Sequence, residues 1–309
     1  MPYHAPLADY RLLLPLLGFA KVAAAPRFAD ATPDTVEAIL TEAARLAETV
    51  LAPLNRMGDL HPALLENGVV RTSPGFAEGF RAIAEGGWVG MTARPEYGGM
   101  GLPITLATGV NEMIGSACLA LQLNPLMTQG QIEALEHHAS PELQALYIPK
   151  LVSGAWHGTM NLTEAQAGSD VGALRTKAEP NANGTYAITG EKIYISWGDN
   201  DFTANTCHLV LARLPDAGTG TKGISLFMVP KFLPDPDGNP GARNALTVVR
   251  LEHKLGLHGS PTAVTGEGPR SSGHTGLARR GMPRTARLCG GAEGGSRQSG
   301  RGDGALRRP

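Results

Sequence analysis

The sequence predicts an α+β multidomain protein, with an all-α N-terminal bundle followed by a β-barrel or sandwich. Apolar residues recur every three or four positions as far as about residue 155, and every second position after it. Because the predicted helices precede the predicted strands without alternation, we do not expect a doubly wound parallel sheet. Residues 265–309 show neither period. We therefore divide the chain into 1–155, 156–264 and 265–309.

Four helices are predicted in the first part, each bounded by a turn signal. Thr32 is placed to cap the first helix, since Pro33 and Asp34 both suit a first helical turn. Pro53 is expected to end it, because a proline inside a helix removes a hydrogen bond. The predicted helices run over 32–53, 73–87, 103–125 and from Ser140 onwards.

The second part alternates β-branched and aromatic side chains between breaks rich in glycine, proline and aspartate. The predicted strands cover 186–189, 192–196, 208–214, 224–229 and 246–251, with a turn at 181–184 before them. Two glycine-rich segments, 98–101 and 218–223, superficially resemble nucleotide-binding loops. The first lacks a preceding strand and the second a following helix, so both are predicted to be connecting loops.

The nearly neutral charge of the 309-residue chain hides two parts of opposite sign. Lys and Arg number 27 and Asp and Glu 28, which gives a net charge of -1. Segment 265–309 carries nine arginines and three acidic residues, so it is +6 and the preceding 264 residues are -7. Because the whole chain has no excess of positive charge, we expect it to bind neither nucleic acid nor a membrane.

No membrane-spanning or exported segment is expected. The most apolar stretch, 12–20, is nine residues long, whereas a spanning helix needs about 20. Asp9 and Lys21 make the same stretch a poor secretory signal. The three cysteines, at 118, 207 and 289, are far apart and form no CxxC pair. They predict a reducing, cytoplasmic location and no metal site.

Segment 265–309 has two competing interpretations. Its 45 residues include 12 glycines and only four large apolar side chains, too few to offset the entropy lost on ordering. An Arg/Gly-rich disordered tail could bind nucleic acid through phosphate contacts and stacking. Alternatively, arginine without lysine and dense glycine are what a shifted reading frame in a GC-rich gene would produce.

The most informative stretch is 160–170, MNLTEAQAGSD, together with 190–196, GEKIYIS. A loop of small and hydroxylated residues between β segments offers backbone N–H groups and hydroxyls beside a flat surface. Such a surface suits a polar heteroaromatic ring that needs several directed hydrogen bonds. From the residues alone, the loop could equally be a capped, solvated turn.

These two stretches resemble the signature of the acyl-CoA dehydrogenase family, T-E-P-x-A-G-S-D followed by G-x-K-x-W-I-[ST]. Further matches are GWVG at 87–90, PEYGGMG at 95–101, YIPKL at 147–151 and KLG at 254–256. The resemblance covers about residues 1–264. Within the family, the chain is most similar to the branch that includes 3-methylmercaptopropionyl-CoA dehydrogenase.

The resemblance implies FAD-dependent α,β-dehydrogenation of an acyl-CoA thioester in fatty acid metabolism. It also implies an electron-transfer flavoprotein as electron acceptor and a homo-oligomeric assembly. We call residues 160–170 the flavin loop. The residues that the resemblance places against FAD are Met160, Leu162, Thr163, Tyr194 and Ser196. Ser169 is expected where the flavin pyrophosphate and the substrate approach each other, and hence to contact both. Met160, Leu162 and Tyr194 could instead be ordinary core residues of the β domain.

The chain departs from the family pattern at three places. Ala165 replaces a proline, and Tyr194 replaces the usual tryptophan while keeping a planar face for the flavin. After Thr262 the family continues with another strand and a C-terminal four-helix domain, where this chain has its Gly/Arg-rich segment. Because the resemblance is lost where the composition changes, we favour a frameshift over an evolved tail.

The resemblance assigns the catalytic base to a glutamate of the C-terminal helical domain, so no residue of this chain is predicted to be catalytic. We expect the 309-residue chain to be a truncated form that neither dehydrogenates acyl-CoA nor retains FAD tightly. Two alternatives are kept: a non-catalytic module that binds FAD or CoA, and a nucleic-acid binder that acts through residues 265–309.

Overall fold

The computed structural model describes the backbone of residues 2–273 and the side chains as far as residue 266. Helices α1 to α7 span Leu7–Leu16, Phe19–Ala23, Pro33–Leu46, Ala52–Leu60, Phe76–Glu85, Ile104–His138 and Pro141–Val152. Strands β1 to β11 span Leu64–Glu66, Val69–Arg71, Trp156–Asn161, Lys177–Pro180, Tyr186–Ile195, Asn205–Arg213, Ile224–Pro230, Phe232–Pro234, Pro240–Arg243, Leu246–Leu251 and Ala263–Gly273. The predicted fold class, a helical domain followed by a β domain, is confirmed.

Two predicted helix starts are confirmed by their caps. The Thr32 hydroxyl accepts a hydrogen bond from the N–H of Thr35 at 3.2 Å, and the Ser140 hydroxyl accepts one from Leu143 at 3.5 Å. Each bond satisfies an amide that the first turn of a helix would otherwise leave without a partner. Helices α3 and α7 therefore begin where the sequence places them.

Two predicted helix ends are wrong, both at prolines. Pro53 is the second residue of α4, and a π-helical turn at Ala47–Leu51 joins α3 to α4, so the helical path continues past Pro53. Pro125 lies inside α6, which continues to His138. The kink in α6 falls instead at Cys118, whose φ of -154° and ψ of 84° are not helical. Pro125 itself is buried within this helix.

The N-terminal domain differs from the all-α prediction in one detail. Strands β1 and β2 form a two-stranded antiparallel hairpin. Asn67 and Gly68 make its turn, with φ values of 52° and 77°. An Asn-Gly pair between two short apolar runs favours this hairpin, because both central residues of such a turn need a positive φ.

The second domain is built on a seven-stranded sheet in the order β10-β11-β5-β4-β6-β3, with β7 also paired to β6. Most pairs are antiparallel, but β3 and β4 both run parallel to β6. The two strands predicted at 186–189 and 192–196 are a single strand, β5. Gly190 lies within it, where a Cβ would come within 2.3 Å of the Thr176 hydroxyl oxygen. Glycine therefore accommodates a close neighbour at this position and does not end the strand.

Strand β11 extends past the predicted boundary at residue 264. It pairs with β10 on one side and with β5 on the other. Its first residues, Ala263, Val264 and Thr265, are fully buried between these two neighbours. The predicted disordered tail therefore begins as a strand as far as residue 273. Residues 274–309 lie outside the described residues, and the frameshift stays a prediction.

One continuous core joins the helical domain to the sheet domain. The indole N–H of Trp197 donates to the carbonyl of Ala120 in α6 at 2.9 Å. The same ring stacks on Phe76 of α5, with 6.2 Å between ring centroids. Tyr147 of α7 meets Trp156 of β3 edge-on at 5.7 Å. The sheet is thus fixed against the helices from two sides.

By length and hydropathy, α6 is long and apolar enough to cross a membrane, as one helix among the described residues. Within its apolar window, 56% is buried inside the protein. The side-chain amide of Gln131 in α6 donates to the carbonyl of Cys207 in β6 at 2.9 Å. The apolar sequence of α6 is therefore accounted for by its place between the two domains.

Candidate functional site

The flavin loop begins at the end of β3 and lies against β5. Met160 is the next-to-last residue of β3 and is half-buried. The carbonyl of Thr163 accepts a hydrogen bond from the N–H of Ile193 at 2.9 Å. Because Ile193 directly precedes Tyr194, this bond places the start of the loop beside the end of β5. The structure thus brings the two predicted stretches together.

The end of β5 presents a planar ring and a hydroxyl. Tyr194 is 61% exposed and has a φ of 58°. A positive φ is uncommon outside glycine, and here it interrupts the regular alternation of the strand. Ser196 lies two residues further on and is half-buried. The side-chain hydroxyls of Thr163 and Ser196 form no hydrogen bond with the described residues, so both are available to a ligand.

The other three predicted residues have different surroundings. Met160 and Leu162 are partly buried and pack against the main core, as the alternative interpretation also expects. Ser169 is exposed, beyond a tight turn in which Glu164 and Ala167 exchange backbone hydrogen bonds of 3.0 Å. No hydrogen bond among the described residues joins the Ser169 side chain to Tyr194. The role of Ser169 beside flavin and substrate stays a prediction.

A buried ion pair, which the sequence analysis missed, lies beneath the flavin loop. Lys192 Nζ lies 2.9 Å from Glu164 Oε1, and the side chains are 0% and 5% exposed respectively. Thr176 donates to the same oxygen through its hydroxyl at 2.6 Å and its N–H at 3.0 Å. Glu164 Oε2 accepts from the Arg175 N–H at 2.7 Å and the Gln166 amide at 2.6 Å. Five donors therefore surround one carboxylate.

These donors fix the charge of Glu164. Burial by itself raises the pKa of this carboxyl. The hydrogen bonds from Thr176, Lys192 and Arg175, together with the Lys192 charge, outweigh burial and lower the pKa to about 2. Glu164 is therefore an anion at neutral pH. A buried lysine requires an anionic partner, but the burial of Lys192 is known only from the structure.

Comparison with known proteins decides the family. The model of the acyl-CoA dehydrogenase N-terminal domain matches residues 33–155, and that of the acyl-CoA dehydrogenase middle domain matches residues 159–266. The chain belongs to the acyl-CoA dehydrogenase family. It is 43% identical over 265 residues to the 3-methylmercaptopropionyl-CoA dehydrogenase of Ruegeria pomeroyi. That match covers 85% of this chain and 45% of the relative, so the chain spans less than half of the relative's length.

Solved structures show the same acyl-CoA dehydrogenase fold. A structure of the electron transferring flavoprotein of Acidaminococcus fermentans matches with a TM-score of 0.64 and 24% identity, over 80% of this chain and 57% of that chain. An acyl-CoA dehydrogenase complexed with FAD from Bacillus anthracis matches with a TM-score of 0.59 and 21% identity, over 77% and 37%. Members of this family are FAD-dependent oxidoreductases.

The residues around the flavin loop fit the FAD of acyl-CoA dehydrogenases. A flavin ring needs a flat apolar face and several hydrogen-bond donors at its edge. The exposed ring of Tyr194 offers the face, and the uncommitted hydroxyls of Thr163 and Ser196 offer the donors. Trp197 is fully buried against the helices, so it is not available for the flavin.

Behind the loop, an uncharged polar network links β3 to β6. The Thr159 hydroxyl donates to Asn161 Oδ1 at 2.8 Å and lies 2.7 Å from His208 Nδ1. Burial, with smaller effects of His157 and Lys231, lowers the pKa of His208 to about 3. Burial and Lys231 lower the pKa of His157 to about 3 as well. Both histidines are therefore neutral at pH 7.

A separate cavity of about 520 Å³ lies between α1, α2 and α3. Its walls are mainly apolar and include Leu14, Phe19 and Leu40. None of the predicted flavin residues lines it. In the part of the chain that the structure describes, no group of three His, Cys, Asp or Glu side chains could hold a metal ion.

Proposed function

We propose that these two domains bind FAD and an acyl-CoA thioester, and serve the α,β-dehydrogenation of that thioester in fatty acid metabolism. The observation that carries the proposal is the Thr163–Ile193 hydrogen bond, which joins the flavin loop to β5. Around it lie the ring of Tyr194 and the hydroxyls of Thr163 and Ser196, none of which is committed elsewhere among the described residues.

Each of these side chains has a part in the proposed reaction. When bound, FAD accepts the hydride that leaves the β-carbon of the thioester. Tyr194 covers one face of the flavin ring, while Thr163 and Ser196 donate hydrogen bonds to its edge. Ser169 binds near the pyrophosphate and the thioester. Met160 and Leu162 exclude water from the apolar side of the ring.

The α-proton requires a base, and Glu164 does not serve as one. Its carboxylate accepts hydrogen bonds from five donors and its pKa is about 2. A general base works best with a pKa near the operating pH. By family resemblance, the base belongs to a C-terminal helical domain, and residues 2–273 comprise the helical and β domains. We therefore propose that the polypeptide of these 309 residues, assayed alone, is inactive.

A titration of the full 309-residue chain with FAD tests the cofactor assignment. We expect quenching of flavin fluorescence on binding, and a dissociation constant raised about 2- to 10-fold in Tyr194→Ala by loss of aromatic stacking. Tyr194→Phe, which keeps the ring, is the matched control and is expected to bind like the unsubstituted chain. If no FAD binds at any accessible concentration, the assignment is wrong.

Turnover and substrate binding are measured on the same FAD-loaded sample. With a CoA thioester, calorimetry is expected to register binding, while reduction of an artificial electron acceptor stays at the no-enzyme blank. Binding without turnover supports the proposal that the base lies elsewhere. Turnover above the blank would refute it, because a base would then lie within these 309 residues.

An electron-transfer flavoprotein as acceptor, a homo-oligomeric assembly and a cytoplasmic location complete the proposal. The first follows from membership of the acyl-CoA dehydrogenase family. The last is supported by Cys118 and Cys207, which are buried free thiols. Sedimentation of the FAD-loaded chain, with and without a purified electron-transfer flavoprotein, tests both assembly and partner.

A further inference from the structure

We propose that Glu164 and Lys192 are positioning residues, which hold the flavin loop in the geometry that FAD requires. The inference rests on the proposed function and deepens it. It assigns no catalytic role to either side chain. Their part is to fix the backbone of the loop.

The pair joins three segments that are separate in the sequence. Glu164 belongs to the flavin loop, and its two oxygens receive hydrogen bonds from Arg175 and Thr176 of the segment before β4 and from Lys192 of β5. Lys192 Nζ also donates to the carbonyl of Leu162 at 3.1 Å. The ammonium group therefore holds the loop at two points, once through a side chain and once through its backbone.

Burial makes this arrangement demanding. Both side chains are almost completely excluded from solvent. A buried ion pair contributes little net stability compared with an apolar pair, yet removing one partner leaves an uncompensated charge and is strongly destabilising. Beyond stability, the pair restrains the geometry of the flavin loop, because charge-assisted hydrogen bonds hold their partners within a narrow range of distances and angles. Apolar side chains of the same volume make no directed hydrogen bonds, so they would not fix the position of the loop.

The positioned atoms are the predicted flavin contacts. Leu162 and Thr163 directly precede Glu164, and Tyr194 follows Lys192 by two residues. The Thr163–Ile193 backbone bond lies between them. A shift of Glu164 or Lys192 would therefore also move Thr163 and Tyr194, which lie within two residues of the pair.

A second ion pair in the same domain, with a buried carboxylate and a half-buried lysine, is the control. Lys231 Nζ lies 2.8 Å from Asp199 Oδ1, with side chains 15% and 5% exposed, and Thr206 donates to the same oxygen at 3.1 Å. The hydrogen bonds of Asp199 among the described residues go to Asn200, Thr206 and Lys231, none of which belongs to the flavin loop. Asp199→Asn removes a buried charge of the same kind without touching the loop.

The experiment compares the unsubstituted chain with Glu164→Gln, Asp199→Asn and the double variant Glu164→Gln/Lys192→Met. FAD affinity is measured by fluorescence titration, and folding by thermal unfolding. We expect Glu164→Gln to raise the FAD dissociation constant about tenfold or more, whereas Asp199→Asn leaves it within about twofold. The double variant removes both charges, so its unfolding temperature should recover while its FAD affinity stays low.

Amide hydrogen exchange of the FAD-free chain is the second measurement. Exchange across residues 162–170 is expected to speed up at least tenfold in Glu164→Gln and in the double variant, and to stay unchanged in Asp199→Asn. A purely structural role predicts instead that the double variant regains both FAD affinity and slow exchange. That recovery would overturn the inference.

The outcomes separate this inference from the proposed function. If the unsubstituted chain binds no FAD, the proposed function fails, and the positioning role toward FAD fails with it. If the unsubstituted chain binds FAD and Glu164→Gln binds it equally, only the positioning role is overturned. Unchanged exchange of 162–170 in Glu164→Gln would overturn the positioning role whether or not FAD binds.

Discussion

At the scale of single residues, the backbone conformation of the 98–101 loop is set by packing. A Cβ at Gly99 would lie 2.1 Å from the carbonyl oxygen of Ala93 and 2.4 Å from its carbon. The same carbonyl accepts a hydrogen bond from the N–H of Gly101 at 2.9 Å. The backbone of Ala93 therefore cannot withdraw without losing that bond. The prediction that this glycine-rich segment is a connecting loop agrees with the structure.

Gly99→Ala is expected to lower the free energy of unfolding by about 1–3 kcal/mol, because the new methyl group overlaps backbone atoms. Gly130→Ala is the control, since nothing lies within 4 Å of a Cβ at that position in α6. It should raise the free energy of unfolding by about 0.5–1 kcal/mol through helix propensity. Urea unfolding followed by circular dichroism measures both. Changes of the same sign would contradict the packing argument.

The buried histidines make stability depend on pH. His157 and His208 have pKa values of about 3 in the folded chain, against about 6.5 when unfolded. Above pH 6.5 both states are neutral and the histidines add no pH dependence. Between pH 6.5 and 3 the unfolded state binds more protons, so stability falls as the pH falls. At pH 5 each histidine should cost about 2 kcal/mol relative to pH 7.

Urea unfolding at pH 7, 6 and 5 measures this loss. His208→Gln removes one titrating group and keeps an amide that can donate to the Thr159 hydroxyl. The slope of the unfolding free energy against pH should therefore fall by roughly 1.4 kcal/mol per pH unit at pH 5 to 6, which corresponds to one proton. The same slope in the variant and the unsubstituted chain would show that His208 is not the buried neutral group.

At the scale of elements, local sequence predicts the caps and turns, but it does not predict whether a proline ends a helix. Asn67-Gly68 forms the hairpin turn and Thr32 caps α3, each through contacts within four residues. Pro53 and Pro125 both lie within helical segments, although an interior proline is usually a helix breaker. Whether a proline ends a helix depends on what packs around it, and sequence spacing does not contain that information.

Thr32→Ala is expected to lower the free energy of unfolding by about 1 kcal/mol, because the N–H of Thr35 loses its acceptor. Thr32→Asn keeps a side-chain oxygen suited to the cap, and should stay within a few tenths of a kcal/mol of the unsubstituted chain. Chemical denaturation of both variants tests the cap. A loss as large in Thr32→Asn as in Thr32→Ala would mean that the cap does not stabilise α3.

At the scale of the whole molecule, the helical and β domains share one core and should unfold together. Trp197 belongs to the β domain by sequence, yet it stacks on Phe76 and donates to the carbonyl of Ala120 in the helical domain. Thr128 and Gln131 of α6 bond the backbone of β3 and β6. No sequence pattern indicates these contacts, because each joins residues at least 30 positions apart.

Trp197→Phe keeps a stacking ring but leaves the buried carbonyl of Ala120 without its donor. The expected cost is about 1–3 kcal/mol of unfolding free energy. In the unsubstituted chain, circular dichroism and tryptophan fluorescence should give coincident unfolding curves. Two separate transitions would show that the shared core does not couple the domains. An unchanged stability in Trp197→Phe would show that the indole hydrogen bond contributes nothing.

The candidate site was predictable where function imposes a motif. The stretches at 160–170 and 190–196 identify the family, and the structure brings their ends together through Thr163 and Ile193. The same motif predicts the positions of Tyr194 and Ser196, and their contact with FAD stays a prediction. The Glu164–Lys192 pair was not predicted, because two charges separated by 28 residues show no pattern in the sequence.

The sequence by itself determined that a helical region precedes a β region, the caps at Thr32 and Ser140, the connecting loop at 98–101 and the membership of the acyl-CoA dehydrogenase family. These features rest on short-range hydrogen bonds, periodicity and motifs, all of which are local. Only the tertiary structure decided that α6 continues past Pro125, that β11 pairs beyond residue 264 and that Lys192 is buried against Glu164. Each of these features depends on residues that are distant in the sequence and that folding brings together. The strength of their interactions depends on burial, which composition alone does not determine.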